Sequence, residues 1–116
     1  MLAVSVAGGD GQDQIALQLL LNVIDFDLSL PQAVAAPRFG TSHHIGSFRQ
    51  PPPLLGSLLI DPAIGDQAIQ ELKRRGHKVT LWDRVPWLPV LLRIDPHTGV
   101  LDAAGDPRAR RHAAGY

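Results

Sequence analysis

A Gly8-Gly9-Asp10-Gly11 loop between two apolar segments constrains this chain more than any other feature. Leu2 to Ala7 reads as a buried strand and Gln12 to Phe26 as a helix, so the loop is a tight strand-to-helix turn. Such a turn presents backbone N–H groups at a helix N-terminus, where the peptide dipoles favour negative charge. Two successive glycines let that backbone come close to a bound oxygen, because no Cβ intervenes. The arrangement suits an anion or a developing oxyanion. No nucleophile lies nearby in the sequence.

Two common anion motifs do not fit. A P-loop needs Gly-Lys-Ser/Thr after its glycines, whereas Gly11 is followed by Gln12-Asp13. A dinucleotide fingerprint starting at Gly9 needs a third glycine where Gln14 stands. A ligand-free strand-to-helix connection satisfies the same spacing, so the loop alone does not decide between site and scaffold.

Composition removes several function classes. The chain has 116 residues, 45% of them hydrophobic, with a formal net charge of +0, which describes an ordinary globular composition rather than a disordered tail. It carries no basic stripe with interleaved aromatics, so nucleic acid is not an expected partner. The absence of cysteine excludes disulfides and thiolate metal sites. No uninterrupted apolar run is long enough to span a membrane, and no basic flank precedes the N-terminal apolar stretch as in a signal peptide.

Further along, the first helix is apolar around most of its circumference, with Gln14, Gln18, Asn22 and Asp25 as a narrow polar stripe. A helix of that kind is covered on more than one side. Ser29 and Gln32 form a capping-box pattern ahead of a short helix over Leu30 to Ala36, which Pro37 stops. Arg38 to Ile45 is expected to be a partly apolar strand. Its His43-His44 pair points to opposite faces and has no other ligand at metal-binding spacing, so solvent-facing or hydrogen-bonded histidines are expected, not a metal site. Gln50-Pro51-Pro52-Pro53 reads as a stiff exposed spacer. Ser57 to Ile60 is a strand and Gly65 to Arg75 an amphipathic helix. Its Lys73-Arg74-Arg75 end suits the dipole, and Gly76 suits the left-handed position beyond it. His77 to Trp82 alternates as a half-buried strand. Pro89 to Ile94 and Val100 to Ala104 form a hairpin around Asp95-Pro96-His97-Thr98-Gly99. The expected fold class is α+β, with mainly antiparallel strands and helices on one face.

Four short blocks in order, Gly8-Gly9-Asp10-Gly11-Gln12, Ala36-Pro37-Arg38-Phe39, Gly105-Asp106-Pro107-Arg108 and the closing Ala113-Ala114-Gly115-Tyr116, resemble the C-terminal part of the small subunit of the gamma-glutamyltransferase (gamma-glutamyltranspeptidase) family. The resemblance spans nearly the whole chain. It implies a single partial domain over 1–116, part of the αββα sandwich of the N-terminal nucleophile hydrolases. It also implies an activity: cleavage of gamma-glutamyl amides such as glutathione, with transfer of the acyl group to water or an amino acceptor. In that family the nucleophile is a threonine at the small subunit's N-terminus, activated by its own α-amino group. The glycine pair supplies backbone N–H donors to the oxyanion, a role that falls here on Gly8 and Gly9.

The expected partners are therefore the upstream rest of the small subunit, the large subunit and a gamma-glutamyl small molecule, with no cofactor or metal. Family members are periplasmic, secreted or, in some cases, intracellular. This chain begins at Met1 and its threonines, Thr41, Thr80 and Thr98, are internal, so the chain alone is expected to be inactive. Two stretches depart from the family pattern. Ser5-Val6-Ala7 stands where Gly-Thr/Ser-Pro is usual, and Trp87-Leu88-Pro89-Val90 replaces a stretch of small residues and glutamine. Two other readings compete: a non-catalytic binding or assembly module from a truncated gene, and a small phosphate-binding domain built on the glycine loop.

Overall fold

A computed structural model describes residues 1–47, 52–82 and 87–114. Gln50, Pro51, Gly115 and Tyr116, from the expected spacer and the closing block, lie outside the described residues. The chain forms two compact units, Met1–Ala36 with Pro86–Tyr116, and Pro37–Val85.

The first unit is built on a three-stranded antiparallel sheet of order β1-β5-β6, from β1 (Leu2–Ala7), β5 (Leu88–Ile94) and β6 (Leu101–Gly105). Val4 pairs with Leu91 and Leu91 with Ala104. Because strand side chains alternate, these three share a face, and Leu91 and Ala104 on it are buried. On the opposite face Ala3 and Ser5 are exposed, and Leu92 is 38% exposed. Helix α1 (Gln12–Ile24) packs on β1, and α2 (Leu30–Ala35) packs on β5 and β6. Ile15, Leu19, Leu30, Ala33 and Val34 complete the core.

Helix α1 stops at Ile24, short of the expected Phe26. Asp27 takes a left-handed conformation (φ 51), one that Asp tolerates better than most residues, and the Leu28 N–H turns back to the Asn22 carbonyl at 2.9 Å. The narrow polar stripe is partly occupied with backbone: Gln18 Nε2 donates to the Gln14 carbonyl at 3.0 Å and Asn22 Nδ2 to the Ala33 carbonyl at 3.4 Å. At α2, Gln32 Oε1 accepts from both the backbone N–H and the hydroxyl of Ser29, at 3.0 and 2.8 Å. The expected capping box is present.

The second unit holds a sheet of order β2-β3-β4, from β2 (Phe39–Gly40), β3 (Ser57–Ile60) and β4 (Lys78–Leu81). One expectation changes here. The strand predicted over Arg38 to Ile45 shrinks to two residues, because side chains take over from the ladder. Thr41 Oγ1 donates to the Ser57 carbonyl at 2.7 Å, and the Ser42 N–H donates to Ser57 Oγ at 3.0 Å. Within the mainly antiparallel pairing that was expected, β3 and β4 are parallel. Helix α3 (Asp66–Arg74) lies between them in sequence, and such a crossover is what parallel neighbours require. His43 Nδ1 accepts the Gly56 N–H at 3.4 Å, in line with a hydrogen-bonded histidine.

Helix α3 has the ends its sequence predicts. Asp61 Oδ1 caps the preceding 3-10 turn (Pro62–Ile64) through the Ala63 N–H at 3.0 Å. Beyond Arg74, Gly76 has φ 92, and the His77 N–H closes onto the Leu72 carbonyl. Glu71 takes both arginines of the basic end, Arg74 at 2.6 Å and Arg75 at 2.8 Å. Arg74 first and Arg75 second hold the Glu71 carboxyl below its ordinary range.

Candidate oxyanion loop

Strand β1 ends at Ala7, and a 3-10 turn over Gly9–Gly11 leads directly into α1. Gly8 has φ 146 and ψ 28, and Gly9 has φ 62, conformations that glycine enters without a Cβ penalty. Both residues are exposed. A Cβ built on Gly9 meets nothing within 4 Å among the described residues. Glycine is thus favoured at Gly9 by the backbone conformation rather than by crowding from those residues. The Gly9 carbonyl accepts the Gln12 N–H. The N–H groups of Gly8 and Gly9 find no acceptor among the described residues.

Gly11 is a glycine for a different reason. Its backbone is ordinary and right-handed (φ −84, ψ −6), but a Cβ there would fall onto the Trp87 indole, on Nε1 first and then at 2.5 Å from Cε2 and 2.8 Å from Cζ2. Trp87 is 6% exposed. The sequence singled out Trp87 only as a departure from the family pattern. Its contact with the loop becomes visible once β1 and β5 are paired.

The two Pro-Arg blocks occupy structural positions. The Asp106 side chain is fully buried and caps a 3-10 turn (Pro107–Ala109) by accepting the Arg108 N–H at 2.8 Å. Arg108 Nη2 reaches the Ala36 carbonyl at 3.3 Å, at the end of α2. Gly105 lets the returning chain pass close: a Cβ there would sit 2.6 Å from the Arg111 carbonyl oxygen. Arg38, in the other block, is 2% exposed and its carbonyl accepts the Asp61 N–H at 2.9 Å.

Of the three threonines, Thr41 is tied to Ser57, Thr98 Oγ1 accepts the Val100 N–H at 3.3 Å, and Thr80 lies exposed on β4. None adjoins the glycine loop in sequence. The described residues contain no group of three or more His, Asp or Glu placed to hold a metal ion. No described helix is long and apolar enough to cross a membrane.

A glycine loop of this geometry, followed by the Asp-Pro-Arg latch, coincides with a family match over the full length. The family model for gamma-glutamyltranspeptidase covers residues 1–116. The chain belongs to the gamma-glutamyltranspeptidase family. The family is one of enzymes, with transferase and hydrolase activities.

Solved structures agree. The chain is similar to LmbA2991HD (32% identity, TM-score 0.82), covering 99% of itself and 20% of that chain. It is similar to a highly active variant of gamma-glutamyltranspeptidase from Pseudomonas nitroreducens (25%, TM-score 0.73), over 97% of itself and 53% of that chain. It is also similar to cephalosporin acylase from Bacillus halodurans (31%, TM-score 0.73), over 90% of itself and 18% of that chain. Gamma-glutamyltranspeptidases and cephalosporin acylase are N-terminal nucleophile hydrolases. The chain therefore spans between about a fifth and about half of these relatives. A search of the curated proteins finds no match.

Proposed function

We propose that this chain is the C-terminal segment of the small subunit of an enzyme that cleaves gamma-glutamyl amides and transfers the acyl group to water or an amino acceptor. The observation that carries the reading is the Gly8–Gly9 loop, at the end of β1 and the start of α1. Its two glycines are exposed, and no described residue lies within 4 Å of a Cβ built on Gly9. Attack on an amide carbonyl places negative charge on its oxygen, and fixed N–H donors aimed at that charge lower the barrier without reorganising. The α1 dipole, positive at this end, acts in the same sense.

In this reading the nucleophilic threonine, its amine and the groups that grip the glutamate come from the upstream part of the small subunit, with the large subunit as a further partner. The sheet face carrying Ala3, Ser5 and Leu92 is where the second sheet of an αββα sandwich would lie. Loop and threonine then divide the work, one stabilising the oxyanion and the other forming the acyl-enzyme.

The reading is tested with a gamma-glutamyl anilide, whose cleavage releases a coloured amine. The 116-residue chain alone is expected to give no turnover above background. Joined in frame to an upstream segment carrying an N-terminal threonine, it is expected to turn over. Turnover by the isolated chain that survives repurification would overturn the segment reading, and a correctly processed but inactive assembly would overturn the activity.

A further inference from the structure

We infer that Trp87 is the positioning residue of the glycine loop: its indole, seated against Gly11, holds the Gly8 and Gly9 N–H groups in place. The inference rests on the oxyanion reading for its functional meaning, but its geometry stands apart from it.

Three observations converge on Trp87. The β1–β5 register ends with Ala7 opposite Leu88, so continuing it by one residue sets Trp87 opposite Gly8. The indole also occupies the volume a Cβ on Gly11 would need. Trp87, the residue before β5, thus meets both ends of the Gly8–Gly11 turn, its backbone by register at Gly8 and its indole at Gly11. Finally, Trp87 is 6% exposed whereas Gly8 and Gly9 are exposed, so a rigid buried plane underlies a loop that otherwise faces open space.

The backbone of Gly11 gives the argument its edge. At φ −84 and ψ −6 the backbone itself accepts alanine, although glycine is the better of the two at the N-cap it occupies. The dihedral angles do not demand glycine at this position; the indole does. Gly11 and Trp87 are therefore a size-matched pair, and an added methyl on one must displace the other. Displacing the indole moves the turn that carries the donors, and misplacement of a reacting group by about 1 Å is enough to cost ~100-fold in rate. Trp87 touches neither substrate nor reacting atoms in this scheme. It acts through Gly8 and Gly9.

The test uses the full chain labelled with 15N-glycine, whose eleven glycines include Gly8 and Gly9 as reporters and Gly99, at the hairpin tip, as the reference for the same unit. Gly11→Ala and Trp87→Ala are each expected to shift the Gly8 and Gly9 cross-peaks and leave Gly99 in place. Trp87→Phe should shift them less. Combining Gly11→Ala with Trp87→Ala should return Gly8 and Gly9 towards their original positions, because the new methyl enters space the indole has left.

If Trp87→Ala unfolds the unit and Gly99 loses its dispersion, Gly11→Ala alone decides, read with Trp87 fluorescence in a Trp82→Phe background. A red-shifted Trp87 emission together with displaced Gly8 and Gly9 peaks supports the pairing. Unmoved peaks and emission in Gly11→Ala, or effects that simply add in the double variant, overturn it. In the assembled enzyme, Trp87→Ala should lower kcat by ~10–100-fold with KM changed far less, and Trp87→Phe should recover most of it. If the peaks respond to the pair but Gly9→Val leaves kcat intact, the oxyanion reading fails while the Gly11–Trp87 coupling stands.

Discussion

Asp106 Oδ1 accepts the Arg108 backbone N–H at 2.8 Å while the whole Asp106 side chain is shut off from solvent. Around this bond the returning chain is fastened: the Asp106 N–H reaches the Pro89 carbonyl at 3.2 Å, and the Arg111 N–H reaches the Asp106 carbonyl at 3.1 Å. Replacing Asp106 by alanine removes the cap and leaves the part-buried Arg108 N–H without this acceptor. The expected cost is about 1–3 kcal/mol in urea denaturation. Asp106→Asn keeps an acceptor oxygen at the same place and should cost clearly less. Equal losses for both variants would mean that the charge, not the cap, is what matters.

Helix α1 makes a prediction about association. Ile15 and Leu19 face the core, but Leu17, Leu21 and Ile24, at i, i+4 and i+7, are 57%, 38% and 64% exposed, with Phe26 at 68%. That stripe lies on one side of the helix. The isolated chain is expected to bind a hydrophobic dye and to self-associate. Leu17→Gln with Ile24→Lys should reduce both, as read by dye fluorescence and sedimentation, without lowering the melting temperature, because neither side chain contributes to the buried core. A large drop in melting temperature would show that the stripe is packed within the chain.

Where the sequence was readable, local chemistry sufficed. The capping pair Ser29–Gln32, the strand Ser57–Ile60, the Gly76 stop after α3 and the hairpin around Asp95 to Gly99 each follow from residues close in the chain, and all are present. The misreadings arose where distant groups decide. Thr41 Oγ1 donates to the Ser57 carbonyl and the Ser42 N–H to Ser57 Oγ, which ended the strand predicted over Arg38 to Ile45. The apolar surface of α1 could not say which face turns inward, because it is apolar nearly all round. Gly8 and Gly9 were legible as a loop that suits an anion. The reason for Gly11 was not, because it lies on Trp87, just ahead of β5 and far along the chain.

The hairpin loop predicts a pH response. Asp95 Oδ1 accepts the His97 N–H at 2.8 Å. Hydrogen bonding from His97, and next from Thr98, holds the Asp95 carboxyl below its ordinary value of 3.8. A carboxyl lowered in the folded state contributes its stabilisation in full above the unfolded value and loses it as pH falls through the folded one. The movement of the Thr98 and Gly99 amide resonances that depends on Asp95 should therefore lie below about pH 4. Asp95→Asn should abolish that movement. A transition centred above about pH 4 that Asp95→Asn removes would contradict the assignment.

The glycine loop makes its prediction in the assembled enzyme. Gly9 sits at φ 62 with no described residue within 4 Å of a built Cβ, so the Cβ of valine there meets no steric wall among the described residues. It meets two other penalties. A branched side chain resists positive φ, so the peptide on which the N–H is carried must rotate. The side chain also enters the open space from which a substrate carbonyl would approach. If one donor is displaced, kcat should fall by ~100-fold or more. KM should change less, because in the proposed reading the groups that grip the glutamate are supplied from upstream. Asp13 is exposed on the first turn of the same helix, and Asp13→Ala should leave kcat within about threefold, since its charge stands in solvent and off the loop. Steady-state kinetics on both variants, after confirming that the threonine terminus has been processed, separate the cases. Near-full kcat in processed Gly9→Val would remove the oxyanion role from Gly9 and return the loop to a structural turn.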